Sequence, residues 1–88
     1  RFDIFYFDTR SQGRIVLEMQ NHVGNGVQLQ LHYQAISSNP IFDADGTDGY
    51  RVEYKNAPAG RYYIVVSTAS PAPSSTIRYA LKATFSGE

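Results

Sequence analysis

Alternation with a period of two residues runs through this sequence, and no window sustains the 3.6-residue repeat of an amphipathic helix. Residues 27–34 are the cleanest case: Val27, Leu29, Leu31 and Tyr33 fall on one side, and Gln28, Gln30, His32 and Gln34 on the other. Residues 14–21 set Ile15, Leu17 and Met19 against Val16, Glu18 and Gln20. Residues 50–55 alternate Tyr50, Val52 and Tyr54 with Arg51, Glu53 and Lys55. Residues 77–85 alternate Ile77, Tyr79, Leu81, Ala83 and Phe85 with Arg78, Ala80, Lys82 and Thr84. A pleated strand with one buried face produces this pattern, because successive side chains point to opposite sides. Residues 61–67 are apolar on both sides and predict a central strand covered on both faces. With the opening run from Phe2 to Phe7, six strands are expected, rich in Tyr, Phe, Val and Ile.

Turn signals separate them: Ser11-Gln12-Gly13, Gly24-Asn25-Gly26, residues 43–49, residues 56–60 around Pro58-Ala59-Gly60, and the proline-serine stretch 70–75. Strands at such spacing predict an all-β, antiparallel β-sandwich of jelly-roll-like form. Eighty-eight residues make one domain with one core, and neither a repeat nor an internal boundary is visible. The module over residues 1–88 is expected to be excised from a longer protein. Gly60, just before the central strand, is expected at a positive φ in a tight turn.

The Gly24-Asn25-Gly26 segment admits two geometries. As a three-residue hairpin loop it sets Val23 against Val27, Met19 against Leu31 and Leu17 against Tyr33, with His32 on the solvent face opposite Glu18. This register is preferred over a two-residue turn, which slips polar side chains onto the apolar face. The alternative is an arch whose two strands belong to different sheets.

Eight basic and eight acidic side chains cancel, so no strong field draws the chain to nucleic acid or an anionic membrane. The absence of cysteine removes thiolate nucleophiles, disulfides and cysteine zinc sites. His22 and His32 are the two histidines, and neither sits in a recognisable nucleophile-elbow or paired-histidine metal motif. The expectation is therefore a non-enzyme.

Residues 43–49, Asp-Ala-Asp-Gly-Thr-Asp-Gly, raise the question of calcium. Asp43, Asp45 and Asp48 offer alternating carboxylates in a glycine-bent segment, and Asp43 and Asp45 suit the first and third EF-hand positions. The sixth position, a glycine in that motif, is Asp48, and the twelfth, a bidentate glutamate, is Tyr54. A turn built from Asx side chains and glycines is preferred, with a Ca2+ site outside the EF-hand pattern as the alternative. For an extended ligand, the row Gln28, Gln30, His32 and Gln34, bordered by Tyr50 and Tyr54, offers amide hydrogen bonds beside flat aromatic area.

The order of these elements resembles the bacterial pre-peptidase C-terminal (PPC) domain family. Pro58-Ala59-Gly60-Arg61-Tyr62-Tyr63-Ile64-Val65-Val66 is similar to that family's Gly-x-Tyr-containing strand. The opening Asp3 among alternating aromatics and the closing Tyr79-x-Leu81 also fit, so the likeness spans Asp3 to Phe85. One departure is Gln28-Leu29-Gln30-Leu31, where the family usually carries Asp-Leu-x-Leu. The resemblance implies a jelly-roll-like, non-catalytic accessory domain of a secreted or cell-surface bacterial hydrolase, most often a peptidase. Its expected partners are the parent catalytic domain and an extracellular polymer, either protein such as collagen or polysaccharide. A carbohydrate-binding module and a structural spacer are the alternative functions.

Overall fold

The computed structural model describes residues 2–23, 27–46, 51–68 and 78–87. Its strands are β1 (Phe2–Thr9), β2 (Gly13–Val23), β3 (Val27–Tyr33), β4 (Phe42–Gly46), β5 (Arg51–Ala57), β6 (Gly60–Thr68) and β7 (Arg78–Gly87). All the pairings are antiparallel. They form a four-stranded sheet, β1-β6-β3-β4, and a three-stranded sheet, β5-β2-β7, which make a β-sandwich. The alternation explains the layers. Ile15, Leu17 and Met19 from β2 meet Leu29 and Leu31 from β3 and Tyr62, Ile64 and Val66 from β6 in one buried cluster. Burying an aliphatic side chain of this size contributes about 1.5–3 kcal/mol, so the two facing stripes supply the main driving force.

Two local expectations are corrected. β2 and β3 do not form a hairpin: β2 lies between β5 and β7, and β3 between β4 and β6. The connection is the arch, although residues 24–26 themselves lie outside the described residues. Leu17 and Met19 therefore meet Leu29 and Leu31 across the sandwich rather than side by side, which buries both stripes against apolar partners. Glu18 faces Arg51 on β5 and Lys82 on β7 instead of His32. The second correction concerns residues 43–49. Residues 43–46 belong to β4, a seventh strand paired with β3, so the aspartate-rich segment begins as an edge strand rather than a turn. An edge strand with one solvated face tolerates carboxylates at alternate positions.

β6 is central in its sheet, as expected, but is covered on one face only: Tyr62, Ile64 and Val66 turn into the core, while on the other face Val65 is buried among its sheet neighbours, Tyr63 and Ser67 are half-buried and Arg61 is exposed. The chain reaches β6 from β5 by crossing between sheets through Pro58 and Ala59. Gly60 adopts φ +146°, and Asn56, before the crossing, +57°. A Cβ on Gly60 would fall 2.8 Å from the Tyr33 ring. The crossing is pinned by Tyr62 Oη donating to the Pro58 carbonyl at 2.5 Å and Tyr33 Oη donating to the Ala59 carbonyl at 2.6 Å. The Gly60 N–H donates to Thr9 Oγ1 at 3.2 Å, tying the crossing to β1.

Candidate functional site: the outer face of the four-stranded sheet

Because β3 sends Leu29 and Leu31 into the core, Gln28, Gln30 and His32 face outward. The registers then fix their neighbours. One row across the sheet runs Ile4, Val65, Gln30, Asp43, and the next runs Tyr6, Tyr63, His32. A third pairs Asp8 with Arg61, and Gln28 lies between Ser67 and Asp45. Four strands at about 4.8 Å spacing give a strip about 14 Å across.

The two halves of this face differ in chemistry. On β1 and β6, Ile4 is 55% and Tyr6 61% exposed. Tyr6 and Tyr63 lie 6.2 Å apart, centre to centre, with rings tilted by 45°. The Arg61 guanidinium sits 4.3 Å from the Tyr6 ring centre and donates to both Asp8 oxygens, at 2.8 and 3.0 Å. That bidentate bond holds the Asp8 carboxyl below its ordinary range, and it raises the guanidinium's pKa in turn. On β3 and β4 the surface is amide and carboxylate. Gln28 is exposed, while Gln30 Nε2 donates to Asp43 Oδ2 at 3.1 Å.

The row read from the sequence is therefore rearranged. Gln28 and Gln30 stand on the outer face as expected. His32 shares that face but is only 1% exposed, not the solvent-facing partner of Glu18. Residues 34–41 fold back over it: the Ser37 N–H donates to His32 Nδ1 at 3.3 Å, and Nε2 contacts Gln30 Oε1 at 2.9 Å. Gln34 leaves the strand at φ +69°, its N–H donating to the Arg61 carbonyl at 2.7 Å, so it does not continue the row. Tyr54 points the other way, half-buried on the core beside Tyr62. Tyr50 lies outside the described residues. Ile4, Tyr6 and Arg61 are the residues sequence reasoning missed. The signal was the opening run, where one parity holds Ile4 and Tyr6 and the other Phe5 and Phe7, both apolar.

Of the three aspartates considered for calcium, Asp43 and Asp45 occupy same-face positions of β4, opposite Gln30 and Gln28. Asp48 lies outside the described residues. Among the described residues no group of three or more His, Cys, Asp or Glu side chains is close enough to hold a metal.

A groove of about 700 Å³ opens between the edges of β1 and β7. Phe5, Phe7 and Ile64 form one wall and Leu81, Ala83 and Phe85 the other, with Tyr6 and Asp8 also lining it. It arises because β1 ends one sheet and β7 the other on the same side of the sandwich. The aromatic half of the outer face and this groove are therefore continuous at Tyr6. No family model, curated protein or solved structure matches this chain.

Proposed function

We propose that this chain is a non-catalytic, PPC-like accessory module of a secreted or cell-surface bacterial hydrolase, holding the parent enzyme to an extended polymer. The observation that carries the reading is the strip on the outer face of the β1-β6-β3-β4 sheet, where exposed Ile4 and Tyr6 and half-buried Tyr63 adjoin the amides of Gln28 and Gln30. A long shallow surface combining aromatic area with hydrogen-bonding amides suits a chain-like ligand better than a small metabolite, which needs enclosure. Arg61 is neutralised by Asp8, so the strip contributes little free positive charge. Binding is accordingly weak in its dependence on salt. Support for a non-catalytic role comes from His32, whose ring nitrogens are both engaged within the fold.

The resemblance in ordered motifs, from the opening Asp3 to Tyr79-x-Leu81, is the support for the PPC assignment and its jelly-roll-like connectivity. The test is a pull-down on insoluble collagen, chitin and cellulose, repeated with Tyr6→Ala and Gln28→Ala. Retention weakened by both substitutions is the expected result, and the polymer retained says whether protein or polysaccharide is the target. Retention by none of the polymers sinks the reading and leaves a spacer. Retention unchanged by both substitutions moves the site off this face.

A further inference from the structure

His32 is buried at the junction of a strand, a loop and the outer-face row, and its hydrogen bonds run in one direction. The network can be read from either end. At one end the Ser37 backbone N–H can only donate, so Nδ1 must accept and carries no proton. At the other end the ionised Asp43 carboxylate can only accept, so Gln30 presents its NH2 to Asp43 and its Oε1 to the imidazole. Nε2 must therefore carry the proton and donate to Gln30. Both ends require the same tautomer, a neutral ring with Nε2–H.

We infer that His32 is a pH-sensitive latch that holds residues 34–41 against the four-stranded sheet and releases them when the ring gains a second proton. The chemistry is local. A proton on Nδ1 turns that atom from acceptor to donor and sets it against the Ser37 N–H, with the ring 1% exposed and water excluded. Moving the loop away relieves the conflict and hydrates the charged ring.

The surrounding groups do not supply a ready counter-charge. On β6, Tyr63 faces His32 directly, and Arg61, two residues along, is bound to Asp8 of β1. On β4, Asp43 reaches the ring only through Gln30. Residues 34–41 contain no ionisable side chain. Backbone bonds tie the two ends of the loop to the sheet, the Gln34 N–H donating to the Arg61 carbonyl and the Ile41 N–H to the Leu31 carbonyl, each at 2.7 Å, while Ile36 and Ile41 are exposed. Its start at Gln34 carries the positive φ, a conformation that a non-glycine residue holds only under constraint.

The latch is independent of the polymer reading and is tested without ligand. Imidazole 15N shifts and amide hydrogen-exchange protection factors are measured on the full 88-residue chain between about pH 8 and 5. Expected at the upper end is the Nε2–H tautomer with Ser37 protected. Where the 15N shifts report a second proton on the ring, Ser37 protection falls by about tenfold or more, while Leu17 and Val66 stay protected. In His32→Asn, where the amide oxygen takes the place of Nδ1 and cannot titrate, Ser37 protection is flat with pH. In Gln30→Glu, a carboxylate beside Nε2 favours the charged ring, and release moves to higher pH. An Nδ1–H tautomer at high pH, or Ser37 protection that survives protonation of the ring, overturns the proposal, and both measurements need only the natural chain.

Discussion

Tyr62 and Tyr63 are adjacent in the chain and have opposite roles. Tyr62 is completely buried, stacked 5.5 Å from Phe7, tilted against Tyr33 at 4.9 Å and edge-on to Tyr54 at 6.4 Å. Its hydroxyl is spent on the Pro58 carbonyl at the crossing between sheets. Burial, helped by Tyr54 and Tyr33, pushes its phenol up to about 12. Tyr63 stands on the outer face with Tyr6, half-buried and beside the exposed row. The difference teaches that a tyrosine-rich strand is not evidence of a binding surface by itself. Strand parity divides identical side chains into those that build the core and those a ligand can reach.

The comparison breaks first at Tyr62→Ala, which removes a fully buried aromatic and should cost about 3–5 kcal/mol in chemical denaturation. A loss no larger than that of Tyr6→Ala would mean that the two faces are not energetically distinct. Next is Gly60→Val, which imposes a side chain on a φ of +146° and drives it into the Tyr33 ring. The expected cost is about 1–3 kcal/mol, and an unchanged denaturation midpoint would show that the crossing is not pinned there.

Tyr62→Phe sharpens the same contrast by deleting only the hydroxyl. It should cost about 1–2 kcal/mol because the Pro58 carbonyl loses its partner. The substitution also reports on alkaline stability. Tyr62's raised value means that its contribution is complete below about pH 10, where the unfolded phenol begins to ionise. It is then lost as pH climbs to about 12. The wild-type chain should weaken over that window more steeply than Tyr62→Phe, and parallel slopes would assign the alkaline loss to other groups. Smallest in stability is Tyr6→Ala, expected at under about 1 kcal/mol for so exposed a side chain. Its effect should appear in polymer retention, and a large loss of stability would place Tyr6 among the structural tyrosines.

Which of the readings were legible in the sequence follows from what each depends on. Strand locations and inward parity of Ile15, Leu17, Met19, Leu29 and Leu31 were legible because alternation is a property of a single strand. The central place of β6 was legible because Tyr63 and Val65 on one parity accompany Tyr62, Ile64 and Val66 on the other, although Arg61 and Ser67 leave the first parity facing outward. Gly60 was legible because a positive φ is a backbone demand that glycine meets at least cost. Strand pairing was not: the stripe on Leu17 and Met19 is equally satisfied beside β3 or across from it. β4 was missed because aspartates and glycines signal turns locally, and the ladder to β3 overrides that preference.

The candidate site was half legible for the same reason. Alternation put Gln28, Gln30 and His32 on one face correctly, but the sequence held no sign that residues 34–41 would fold over His32. Nor did it show that β1 would lie two strands away and contribute Ile4 and Tyr6. By itself, then, the sequence determined the all-β class, the two-faced character of its strands and the sharp backbone turn at Gly60. These follow from bond geometry and from the transfer of apolar side chains out of water, which act residue by residue. Only the tertiary structure decided which strands are neighbours, which tyrosines are core, and how the ring nitrogens of His32 are engaged. Those outcomes depend on groups brought together from distant parts of the chain, where hydrogen-bond direction and exclusion of water are set by the whole assembly of strands.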